Sequence, residues 1–104
     1  SHIELAKMAI KGGADIIQLR DKFISTSEFI RIAISIRKLC DKHNVLFLVN
    51  DRADVALVSG ADGVHLGKKD IPLNEARKLL GKWKIMENLS EYQKKQKTKE
   101  KKKI

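Results

Sequence analysis

Three polar clusters punctuate the segment from Asp15 to Asp70: QLRDK (Gln18 to Lys22), ND (Asn50, Asp51) and GVHLGKKD (Gly63 to Asp70), each at or just after a short apolar run. Side chains alternate along a strand, so Gln18, Arg20 and Lys22 fall on one side and Leu19 and Asp21 on the other. A guanidinium fork matches phosphate oxygens and an ammonium adds a mobile point charge, a pairing that suits a diphosphate and ill suits a dry core. Asp51 closes the second run with Asn50, and Asp70 follows the third. Hard oxygen ligands from two strand ends could share one Mg²⁺ and leave its other positions to water and phosphate. Plainer alternatives stay open. Arg20 and Lys22 could pair with Asp21, Asp51 or Asp70 at a sheet rim, and Asp51 and Asp70 each precede an expected helix, where a carboxylate caps free backbone N–H groups.

The other reactive side chains are weaker candidates. His65 is of a residue type suited to general-base work, but no second histidine or cysteine accompanies it at ligand spacing, and its flanking Val64 and Leu66 leave open which way it points, so a structural role is expected. His2 and His43, at a helix start and a helix end, read as surface residues. Cys40, the single cysteine, lies in the helical pattern IAISIRKLCDKHN, where it packs as a small apolar residue; a lone thiol fits a reducing compartment.

Elements that alternate between helix and strand must position these groups. Ser1 with Glu4 and Ser25 with Glu28 have capping-box spacing, which marks two helix starts. The first helix should run to Lys11 and stop at Gly12-Gly13; the second should run from Thr26 to Lys42 and bury Phe29, Ile32, Ala33, Ile36 and Leu39 or Cys40. ADIIQL, VLFLV (Val45 to Val49) and DGVHL (Asp62 to Leu66) read as buried strands. A short helix from Arg52 to Ser59 joins the last two and ends at Gly60. Pro72 opens a fourth helix, with Leu73, Ala76, Leu79 and Leu80 at helical spacing before Gly81. Connections of this length suit right-handed crossovers between parallel strands, whose carboxyl ends are where α/β domains bind ligands. Three strands are too few for a complete barrel or a full doubly wound sheet, so part of the architecture is missing or supplied by another chain.

With 104 residues the chain has room for one core. No apolar run approaches the roughly 20 residues of a membrane span, and the start lacks the pattern of a signal peptide; a soluble, cytoplasmic protein is expected. The net charge of +9 suggests a nucleic-acid footprint until its distribution is considered. Residues 82–104 hold nine lysines and three glutamates, a net of +6, which leaves +3 for residues 1–81. After Tyr92 the chain is almost wholly polar, the composition of a solvated, partly disordered extension. No aromatic interleaving or groove-reading motif accompanies the lysines, so no specific nucleic-acid partner is expected.

GGADIIQLRDK followed by FLVNDRADVALVSGADGVHLGKKD closely resembles the thiamine phosphate synthase family, with the match running from about Gly12 to Gly81. The resemblance implies a (β/α)₈ TIM barrel, of which residues 1–81 would form a part, followed by the lysine-rich extension 82–104. It implies the joining of hydroxymethylpyrimidine diphosphate to thiazole phosphate with release of diphosphate, assisted by Mg²⁺. Position by position, Gln18, Arg20, Lys22 and Asn50 match residues that hold the pyrimidine diphosphate, and Asp51 and Asp70 match metal ligands. Arg20 and Lys22 would also be catalytic, since they would stabilise charge developing on the leaving diphosphate. No protein nucleophile is needed, in keeping with the lack of a convincing nucleophile and base.

The chain also departs from the family pattern. Lys68 and Lys69 stand where the family carries Gln and an acidic residue before the metal-binding aspartate, which changes the charge around Asp70. An opening strand before Ser1 and family-like loops after the fourth helix are not found, so the expectation is a truncated member with a pyrimidine-diphosphate half-site and doubtful activity. Self-association of exposed strand edges would follow. Two alternatives remain: a thiazole tautomerase-like relative, which would not need the acidic pair, and a noncatalytic diphosphate-binding or interaction fragment.

Overall fold

Ser1 and Ser25 accept hydrogen bonds on their side-chain oxygens from the backbone N–H of Glu4 (3.3 Å) and Glu28 (3.2 Å), so both serine caps start helices as their spacing predicts. The computed structural model describes residues 1–66, 74–75, 78 and 101–104. Helix α1 spans His2–Lys11, strand β1 Ile16–Leu19, helix α2 Thr26–Lys42, strand β2 Leu46–Asn50, helix α3 Ala53–Ser59, strand β3 Gly63–His65 and strand β4 Lys101–Lys103. Gly60 ends α3 at φ +72, a left-handed conformation that glycine adopts without a Cβ penalty. Of the expected fourth helix, Asn74, Glu75 and Lys78 are described and are helical; Pro72 and the residues expected on its buried stripe lie outside the described residues, as do Lys68, Lys69 and Asp70.

Strand order is β3-β2-β1-β4, with every neighbouring pair parallel. The first three positions follow from crossovers through α2 and α3. The fourth differs from the sequence expectation of a solvated extension: Lys101, Lys102 and Lys103 pair with Ile16, Ile17 and Gln18. Composition gives no sign of this. The pairing satisfies main-chain groups, which Ile104 N–H continues by donating to Gln18 O (2.8 Å) while Arg20 N–H donates to Ile104 O (2.9 Å).

Alternation divides the sheet into two faces. Ile17, Leu19, Phe47, Val49 and Val64 pack with Phe29, Ala33, Ile36 and Val55 of the helices, and Ile104 joins this core. Ile16 and Leu48 lie on the other face with Gln18 and Asn50, and all four are buried. A core on both faces explains why these strands read as continuous apolar runs. At the amino end of the sheet, Arg37 pairs with Asp41 one helical turn on and with Asp62 (2.7 Å), whose carboxylate also accepts the Phe47 N–H (2.8 Å). This network ties α2 to β2 and to the start of β3.

Candidate functional site

Because all strands run the same way, Gln18, Asn50, His65 and Lys103 sit at one edge of the sheet, the carboxyl edge. Gln18, 1% exposed, donates from Nε2 to Asn50 Oδ1, while Gln18 Oε1 is buried with no hydrogen-bond partner among the described residues. A buried carbonyl left in that state costs about 1–3 kcal/mol. It is an acceptor on the sheet face opposite the helices.

After Leu19 the chain leaves the strand, and Arg20, Asp21, Lys22 and Phe23 line an open cavity of about 440 Å³ with Lys103 and Ile104. Neither Arg20 nor Lys22 forms an ion pair with another described residue, which leaves Asp70, outside the described residues, as the remaining partner of the ion-pair alternative. Asp21 is instead held by His2 Nε2 (2.9 Å) and accepts the N–H groups of Phe23 (2.7 Å) and Ile24 (3.1 Å). The hydrogen bond to His2, followed by that from Phe23, holds the Asp21 carboxyl below its ordinary range. His2 is therefore not the surface residue that its position suggests: it is half-buried and locks the loop after β1 to the start of α1.

Asp51 takes φ +69, a left-handed conformation that Asp tolerates better than most residues, and its N–H donates to His65 O (2.8 Å). Its carboxylate is a hard oxygen donor at a strand end, of the kind Mg²⁺ takes. Asp70, the other expected ligand, lies outside the described residues, and among the described residues no three His, Cys, Asp or Glu side chains gather as a metal site. Arg52 fixes the chain after Asp51: it chelates Asp54 (2.8 and 3.0 Å), donates to Thr26 Oγ1 (3.1 Å) and lies 6.0 Å from the Phe29 ring centre. His65 pairs with Asn50 in register while Val64 is buried with the helix-side core, so His65 belongs to the face opposite the helices.

Cys40 is fully buried and desolvation pushes its thiol up to about 12, so it packs as expected and is no nucleophile. His43 is exposed at the end of α2. Sequence reasoning did not see the Gln18–Asn50 pair, the Arg52 clamp, the His2–Asp21 contact or Lys103. The first needed the strand register. The Arg52 clamp had a faint local signal in the spacing of Arg52 and Asp54, and Lys103 had none inside a lysine run.

Parallel strands alternating with helices, with amide, guanidinium, ammonium and carboxylate groups where the strands end, define an α/β protein with a polar strand-end cluster. The family described as thiamine monophosphate synthase matches residues 1–101, further in both directions than the Gly12 to Gly81 stretch. The chain belongs to this family. It is 52% identical over 86 residues to the thiamine-phosphate synthase of Chlorobium limicola, covering 83% of this chain and 41% of the relative. It is 56% identical over 79 residues to that of Methanospirillum hungatei, covering 76% and 38%. Among solved structures, the thiamine phosphate pyrophosphorylase from Pyrococcus furiosus superposes with a TM-score of 0.79 at 38% identity, covering 83% of this chain and 42% of that one. The chain thus spans about two fifths of the length of these relatives. No helix among the described residues is long and apolar enough to cross a membrane.

Proposed function

We propose that this chain carries the pyrimidine-diphosphate portion of a thiamine phosphate synthase site, within part of a (β/α)₈ barrel. The complete reaction would join hydroxymethylpyrimidine diphosphate to thiazole phosphate. The carbon–oxygen bond to diphosphate breaks, the leaving group takes the electron pair, and the thiazole nitrogen closes the new bond to the resulting pyrimidine carbocation. The observation that carries this reading is a cavity lined by two cations without ion-pair partners among the described residues, Arg20 and Lys22, just past the carboxyl end of β1, the strand whose Gln18 pairs with Asn50.

Arg20 and Lys22 would bind the diphosphate and stabilise its growing charge. Asn50, its Oδ1 engaged by Gln18, keeps its amide N–H groups for an acceptor, whereas Gln18 Oε1 suits a donor such as a ring amine. Asp51 and Asp70 would hold Mg²⁺, which when bound supplies further positive charge against the diphosphate. This acidic pair favours the synthase over a tautomerase-like role.

Isothermal titration with inorganic pyrophosphate tests the proposal. Binding should require Mg²⁺ and weaken at least tenfold in Arg20→Ala and in Asp51→Asn. Binding that ignores the metal and both substitutions would overturn the reading. Thiamine phosphate formation by this chain alone should be very weak or absent.

A further inference from the structure

The outer edge of β1 is occupied by β4, and that arrangement adds a residue to the cation cluster. Lys103 pairs in register with Gln18, so alternation puts it on Gln18's face, whereas Ile104 packs into the helix-side core and anchors the strand. Two main-chain hydrogen bonds from the Gln18 to Arg20 stretch hold Ile104 in place. Lys103 is exposed and shares the 440 Å³ cavity with Arg20 and Lys22. Of the cavity's four charged side chains, three are cations without ion pairs to described residues, and the fourth, Asp21, is already engaged by His2 and two backbone N–H groups. Phe23, 96% exposed, supplies an aromatic wall.

We propose that Lys103, delivered by the β4 strand, is a third cationic ligand for the diphosphate, so that residues 101–104 are part of the binding site. This rests on reading Arg20 and Lys22 as diphosphate ligands. A diphosphate presents charge on two phosphorus centres, more than one guanidinium fork covers, and three cations around an open cavity with an aromatic wall match such a group on a small ring-bearing molecule better than a single phosphate. The charge here is placed by backbone pairing. An ammonium tethered by a strand therefore loses less freedom on binding than one on a loose segment.

The test is pyrophosphate titration of the full chain with Mg²⁺ present, read beside amide hydrogen exchange at Arg20 and Ile104. Lys103→Ala should weaken pyrophosphate binding about tenfold, and Lys103→Glu more, while both amides stay protected, because the strand's main-chain bonds do not depend on that ammonium. Lys42→Ala, an equal loss of charge at the exposed end of α2 and outside the cavity, should leave affinity unchanged. Ile104→Asp should lose amide protection and affinity together. If Lys103→Ala binds like the parent while Arg20→Ala is weakened, Lys103 is no ligand and the diphosphate site stands without it. Equal losses from Lys103→Ala and Lys42→Ala would reduce the effect to net charge and also overturn the inference. If the parent chain does not bind pyrophosphate, this inference and the proposed function fail together.

Discussion

Gln18 and Asn50, thirty-two residues apart in sequence, share a buried side-chain hydrogen bond across the β1–β2 ladder, and the bond leaves the Gln18 carbonyl oxygen without a partner among the described residues. Two amides meet where strands of this kind ordinarily bury aliphatic groups. Replacing Asn50 by Leu should strand the Gln18 N–H as well and destabilise the fold by about 1–3 kcal/mol, whereas the double variant Gln18→Leu/Asn50→Leu should recover most of that loss, because no polar group remains buried unpaired. Urea unfolding of the single and double variants decides this. A double variant as unstable as Asn50→Leu would show that the amides serve the fold rather than a ligand.

Asp21 confers a pH dependence on the loop after β1. Its folded-state pKa is depressed, first by the His2 hydrogen bond and then by the Phe23 N–H. The stabilisation is therefore complete above the unfolded carboxylate value of about 4 and is lost as pH falls through the lower folded value. Hydrogen exchange at Phe23 and Ile24, measured relative to a control amide in α2, should become less protected in that acid window. Asp21→Ala should show the weaker protection already at pH 7.

Arg37 should matter for stability and not for ligand binding, since its pairs with Asp41 and Asp62 lie at the amino end of the sheet. Arg37→Ala removes a partner from Asp62, which also accepts the Phe47 N–H, and should cost about 1–2 kcal/mol in chemical unfolding. Pyrophosphate affinity should remain at the parent value. A loss of affinity in the folded variant would contradict this division of labour.

Cys40 reports on opening of the core. Burial raises its thiol to about 12 and closes it from solvent, so a thiol reagent at pH 8 should label the native chain only as fast as the protein opens. Adding denaturant should raise the labelling rate in step with the unfolded fraction. Rapid labelling in buffer would mean that α2 does not stay packed on β2.

Much of this fold is legible because its signals are local. Ser25 and Glu28 mark where α2 starts, Phe29, Ile32, Ala33, Ile36 and Cys40 mark its buried face, and the run ending at Val49 marks β2 to within a residue. Gln18, Arg20, Lys22, Asn50 and Asp51 could be grouped as strand-end residues for the same reason. What escaped the sequence depends on residues distant in the chain. The partner of Gln18 is set by a register between strands thirty residues apart, and His2 reaches Asp21 only once α1 packs beside β1. The strand at Lys101 to Lys103 is held by main-chain bonds, which lysine composition neither encourages nor forbids strongly enough to be read.

That last strand also sets an order of events during synthesis. Ile16 pairs with Leu46 on one side and with Lys101 on the other, so one flank of β1 can close early while the other waits for a partner eighty-five residues downstream. Closing so long a loop adds little further entropy cost, because that cost grows only logarithmically, but it delays the search. During translation the Ile16 to Leu19 edge stays open long after its neighbours have formed, and over that interval a chaperone or a strand from another chain can compete for it.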